Sequence, residues 1–141
     1  MTHVTRMITI QAPVDAIWQV ISDFRAACHY LAMVVNCTVE GEGVGALRTL
    51  TNADGTTIVE RLDALDQAAH RLSYTLLTDT PFGNCLTTMA LHDLDPGQAE
   101  LEWSATFQPA GLPASEAMEM LEGALAANCL ALKQFMEAAR K

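Results

Sequence analysis

A chain of 141 residues, half of them apolar, can build one hydrophobic core and is too apolar for a disordered or low-complexity segment. Its formal charge of −9, with no run of Lys or Arg, argues against nucleic acid or an anionic membrane surface as partner, and reads as solubility. The opening MTHVTRMITI lacks the basic-then-apolar order of a signal peptide, and no apolar run is long enough to cross a bilayer, so no membrane insertion and a cytoplasmic location are expected.

Residues 4–11, VTRMITIQ, alternate and predict a first strand. The following APVDAIWQVISDF predicts a helix. Pro13 suits its first position and Asp15 the positive end of its dipole, while Val14, Ile17, Trp18, Ile21 and Phe24 form one apolar stripe. Residues 25–32 read as a connection or a second short helix. Strands then follow in succession: VVNCTVEG, the glycine-spaced EGEGVGALRTL, 57–66 after the Asp54-Gly55 turn, 70–77, 85–94, and 99–109 after Asp95-Pro96-Gly97. The linkers are too short for crossovers, so the strands pair as antiparallel hairpins. Residues 113–140, with no internal proline, predict one long amphipathic helix opened by Pro113, with Leu121, Leu125, Leu132 and Phe135 at helical spacing. The whole chain, 1–141, reads as a single α+β domain. A curved sheet with a helix along its concave face leaves a gap suited to a small molecule.

Within GTTIVERLDALD, Ile58, Glu60 and Leu62 share a strand face, and that face is the more apolar one. A carboxylate there must be paired, protonated or wetted. It is either the partner of Arg48 on the neighbouring strand or a group that binds ligand or acts as a general base; both can hold at once. Arg48 in ALRTL lies with Ala46 and Leu50, against Leu47 and Thr49, a pattern that leaves its face open. Inside, it would bind a carboxylate of Glu60 or of a ligand; outside, it would be solvated. Tyr74, with Leu72 and Leu76, is core or a hydroxyl donor to ligand or Glu60, and Trp103, with Leu101 and Phe107, is core or pocket wall. His29 and Tyr30 follow the first helix. His29 is a surface residue or an acid/base at the pocket rim. Asn84 reads as a turn residue.

The four cysteines, Cys28, Cys37, Cys85 and Cys129, form no C-x-x-C and read as reduced, mostly buried thiols, and the four histidines are scattered. No metal and no organic cofactor is expected. The glycines of EGEGVG are followed by no helix and no suitably placed lysine, so they mark a hairpin turn rather than a phosphate loop.

APVDAIWQVISDF, EGEGVGALRTL, GTTIVERLDALD, LSYTLL, TPFGN and EWSATFQP, in this order, resemble the polyketide cyclase/dehydrase group of the START-like (SRPBCC) superfamily over nearly the whole chain. The resemblance implies a helix-grip fold: about seven antiparallel strands curved round the C-terminal helix, with a central cavity for an apolar ligand. The chain departs from the group's pattern twice. CHYLAMV stands where members often carry Trp-x-Pro, and Cys85 stands where a tyrosine often follows the asparagine of the TPFGN segment. Both positions tend to line the cavity, which places His29, Tyr30 and Cys85 among the expected ligand-binding residues with Arg48, Glu60, Tyr74 and Trp103. The expected function is binding of a small apolar or aromatic molecule. The alternative is a cyclase/dehydrase-type enzyme in which Glu60, helped by Tyr74, moves protons at an enolisable carbon. A third reading is a partner-binding protein whose loops close over ligand. A homodimer is left open.

Overall fold

The computed structural model describes residues 1–138. Strand β1 (Thr2–Ile10) leads into helix α1 (Val14–Ile21) and a short 3-10 helix (Phe24–His29). Six strands follow, β2 (Val34–Glu40), β3 (Leu47–Asn52), β4 (Thr57–Asp66), β5 (Arg71–Leu76), β6 (Phe82–Asp95) and β7 (Gln98–Pro109), and then helix α2 (Ala114–Ala138). The sheet is seven-stranded and antiparallel, in the order β1-β7-β6-β5-β4-β3-β2. Strands β2 to β7 are therefore a meander, and β1 docks beside β7. The sheet curves round α2 in the helix-grip manner, with the helix seated chiefly on β1 and β7. Toward β3, β4 and β5 the helix and sheet diverge.

Both prolines sit one position earlier than expected. Pro13 is the extended residue before α1, with φ −61° and ψ 143°, and its carbonyl accepts from the Ala16 and Ile17 amides. The Pro113 carbonyl likewise accepts from Ala117. A proline there forgoes a side-chain cap but no helical backbone hydrogen bond, because the residue before a helix contributes its carbonyl to the ladder and not its N–H. Helix α1 buries Ile17, Trp18 and Ile21, and the 3-10 helix carries Phe24 inward. On α2 the buried stripe is Ala117, Leu125, Cys129, Leu132 and Met136. Leu121 and Phe135, expected in that stripe, are half-buried, because the sheet falls away from the first and the second lies at the edge against His29. The last residues of the expected helix, 139 and 140, lie outside the described residues. Of the cysteines, Cys85 and Cys129 are buried, Cys37 is half-buried and Cys28 is exposed. "Mostly buried" therefore needs correcting: the chain leaves α1 too early to bury the side chain at 28.

Strand β6 begins at Phe82 rather than 85, because a bulge lets the chain pair with β7 before and after it: Gly83 opposes Gln108, and Leu86 opposes Thr106. Asn84, inside the bulge, takes a positive φ of 49° and donates through Nδ2 to Gln108 Oε1. At Gly83 the approach to β7 is so close that an added Cβ would lie 2.9 Å from the Gln108 carbonyl oxygen. Gly83→Ala is expected to destabilise the protein by about 1–3 kcal/mol, since backbone rather than a flexible side chain must yield. A urea melt of this variant that superimposes on that of the parent would contradict the tight packing of the bulge.

Candidate functional site

Three cross-strand neighbours build the polar centre. Arg48 on β3 is in register with Glu60 on β4, and Glu60 with Leu76 on β5, while Tyr74 opposes Leu62. Directly opposed residues share a sheet face, so Arg48, Glu60 and Tyr74 all point to the concave side. The open question about Arg48 is thereby answered: it lies inward with Ala46 and Leu50 and is only 1% exposed.

A buried guanidinium needs compensation from every side. Arg48 Nε donates to Glu60 Oε1 at 2.8 Å, and Nη2 lies 2.8 Å from the same oxygen. Both contacts land on Oε1, so neither uses Oε2. The guanidinium also lies 4.1 Å from the centre of the Phe24 ring and 4.7 Å from that of Tyr74, two rings that are tilted against each other. Burial works against the charge, yet Glu60, with Tyr30 and Tyr74, holds the Arg48 pKa above the ordinary arginine value.

Tyr74 is buried and accepts a hydrogen bond from Trp103 Nε1 at 3.3 Å. Burial, reinforced by the Glu60 charge, pushes its pKa well up, so the phenol keeps its proton at any physiological pH. Tyr30, the residue that ends the 3-10 helix, packs against Trp103 with ring centres 6.2 Å apart. Its hydroxyl is buried, with the Arg48 guanidinium as its neighbouring donor. Burial raises its pKa against the lowering influence of Arg48.

Between β3–β6 and the first half of α2 lies a cavity of about 280 Å³, with residues 31–34 at its rim. Its walls are mainly apolar, from Leu50, Ile58, Leu76, Phe82, Leu121 and Leu125 among others. Among the described residues the polar lining consists of Glu60, Tyr74, Asn52, Thr87, Cys85 and Asn128, of which Glu60 alone is charged. Asn128 Oδ1 accepts from the Ala32 amide at 2.8 Å and so ties the rim to α2. The Cys85 thiol is raised in pKa, by burial foremost, and lies 3.8 Å from the Thr87 hydroxyl. It is a small lining group rather than a thiolate nucleophile.

Of the expected site residues, Glu60, Tyr74 and Cys85 line the cavity. Arg48 stands directly behind Glu60, and Trp103 stands behind Tyr74. Tyr30 is not at the mouth: the end of the 3-10 helix turns it inward onto Trp103, leaving it 1% exposed. His29, one residue earlier, points the other way and is exposed, stacked on Phe135 at 5.5 Å, so it is not a rim residue. Sequence reasoning missed Phe24 as the cover over Arg48, and Thr87 and Asn128 as lining. Thr87 was recoverable, since it lies two residues beyond Cys85 on one strand and so shares its face. Asn128 follows Leu121 and Leu125 at helical spacing. Among the described residues no group of three or more His, Cys, Asp or Glu could hold a metal ion. No helix among them is long and apolar enough to cross a membrane.

Residues 1–137 match the family model described as polyketide cyclase/dehydrase and lipid transport. A stretch of 72 residues is 35% identical to the abscisic acid receptor PYL7 of Arabidopsis thaliana, covering 48% of this chain and 34% of that receptor. The match therefore spans about a third of the receptor's length. Among solved structures, the protein XoxI from Bacillus cereus is 26% identical with a TM-score of 0.91, over 100% of this chain and 99% of that one. The Zhui aromatase/cyclase from a Streptomyces species is 25% identical with a TM-score of 0.77, over 99% and 93%.

Proposed function

The chain belongs to the polyketide cyclase/dehydrase and lipid transport family, and from that premise we propose that it is a START-like binding protein that holds one small apolar or aromatic molecule in the cavity between β3–β6 and α2. The observation that carries this reading is the cavity itself: about 280 Å³, walled by aliphatic and aromatic side chains, with a few polar groups among them. That is the composition of a small-molecule site, at the small end of the usual size range. Glu60 and Tyr74 orient the ligand, Arg48 and Trp103 hold those two in place, and Cys85 contributes a small wall that leaves room.

The test is fluorescence titration with N-phenyl-1-naphthylamine, a neutral apolar dye that brightens when desolvated. Saturable enhancement is expected for the parent protein. Cys85→Phe puts a ring into the cavity and is expected to weaken the dye by about tenfold or more, while shifting stability by no more than about 1–3 kcal/mol. Unchanged dye affinity in a folded Cys85→Phe variant would place the ligand elsewhere.

A cyclase-type enzyme is the second reading, supported by the family description and by the likeness to an aromatase/cyclase. In it Glu60 would take a proton from an enolisable carbon, and Tyr74, held protonated by burial, would donate a hydrogen bond to the developing enolate. The pairing of Glu60 with Arg48 favours the binding reading, because two guanidinium contacts already occupy its Oε1.

A further inference from the structure

The polar groups of the cavity select the chemistry of what it holds. We propose that the ligand is electrically neutral and presents a hydroxyl donor, a phenol or enol, to Glu60, and that the site rejects carboxylates. This rests on the cavity being the ligand site.

Three observations carry it. First, Glu60 is the only charged residue of the lining among the described residues, so none of them offers a cation there to receive an anionic group. Second, Arg48, the cation paired with Glu60, is already engaged. Arg48 is buried, both its contacts with Glu60 go to Oε1, and the Phe24 and Tyr74 rings pack against its guanidinium. A ligand carboxylate could reach it only by displacing Glu60. Oε2, used by neither contact, is the acceptor that a ligand O–H can satisfy. Third, the single hydrogen bond of Tyr74 among the described residues is accepted from Trp103, so its own hydrogen remains for an acceptor. An acceptor beside a donor is the complement of a hydroxyl, which both gives and takes.

Charge argues the same way at two ranges. Locally the Arg48–Glu60 pair is neutral, with its negative end on the cavity side, so a donor dipole gains and a second carboxylate is repelled. At long range, the formal charge of −9 lowers the concentration of anions near the surface.

The experiment is a calorimetric titration of the whole chain at neutral pH with three matched bicyclic probes: 2-naphthol, 2-methoxynaphthalene and 2-naphthoate. 2-Naphthol is expected to bind about tenfold or more tightly than its methyl ether, which leaves Oε2 unpaired, and than the carboxylate. In Glu60→Gln the handicap of 2-naphthoate relative to 2-naphthol should shrink by about tenfold, because the repelling charge is gone and Arg48 is no longer neutralised. The parent titrations stand without the variant. If 2-naphthoate binds as tightly as 2-naphthol, or if the ether does, the ligand class is wrong while the cavity reading stands. If none of the three binds and the neutral dye does not either, the cavity reading itself is wrong.

Discussion

A chain ending at Gln108 is expected to lose cooperative unfolding altogether. Helix α2 is one whole wall of the core: it buries Ala117, Leu125, Cys129, Leu132 and Met136 against the concave face of the sheet. Truncating a buried Leu or Met to alanine costs about 2–5 kcal/mol, so three such positions alone rival the usual 5–15 kcal/mol stability of a domain. Removing the helix would also strip cover from the inward side chains of β1 and β7, including Val4, Leu101, Ala105 and Phe107, now almost fully buried. Two polar ties would go as well, Asn128 to the Ala32 amide and Lys133 Nζ to the Thr9 carbonyl at 3.0 Å. Leu132→Ala is the graded form of the experiment. Leu132 is fully buried, and its truncation should cost about 2–5 kcal/mol in a urea melt. A truncated chain melting sharply near the parent's midpoint would mean that the sheet is stable without the helix, and the fold described above would be wrong.

Arg48→Ala is expected to destabilise the protein by about 3–5 kcal/mol, the usual cost of leaving one member of a buried ion pair alone. The loss has two sources. Glu60 keeps a carboxylate facing an apolar cavity with its only counter-charge removed. The space the guanidinium fills beside the Phe24 and Tyr74 rings, at 4.1 and 4.7 Å from their centres, empties. The pair as a unit is a different matter, since well-packed apolar replacements for both members are often neutral or better. The double variant Arg48→Met with Glu60→Leu is therefore expected to recover most of the stability while losing the preference for 2-naphthol over its methyl ether. Chemical denaturation of the two variants beside the parent reads this directly. An Arg48→Ala protein within about 0.5 kcal/mol of the parent, the usual range for surface changes, would show that the pair is solvated and that the cavity floor differs from the one described.

Glu60 is where local pattern and tertiary structure part company. Strand β4 was legible residue for residue, 57–66, because alternation between turn residues is a signal carried by the chain itself. That signal also placed Ile58, Glu60 and Leu62 inward: Ile58 and Glu60 line the cavity, and Leu62 is buried in the core beside it. The Asp54-Gly55 and Asp95-Pro96-Gly97 turns, the six consecutive strands and the single long C-terminal helix were legible for the same reason. Each depends on dihedral preferences and periodicities that act within a few residues.

Arg48 was not legible, and the reason is specific. In ALRTL one face offers alanine, arginine and leucine and the other leucine and threonine, so apolar content does not choose between them. What chose was the register that sets Arg48 opposite Glu60, together with two rings brought from elsewhere, Phe24 from the 3-10 helix and Tyr74 from β5. Burial of a guanidinium is favourable only once all three are present, and they are 12, 24 and 26 residues away along the chain. His29 and Tyr30 make the same point over one peptide bond. They are equally plausible loop residues in sequence, yet the backbone at the end of the 3-10 helix sends one to the surface beside Phe135 and the other into the core against Trp103. Periodicity and turn chemistry determined which elements form and which strand faces are apolar. Which charged and aromatic groups meet was decided by packing between distant elements, because the desolvation of a polar group is set by neighbours that local sequence does not contain.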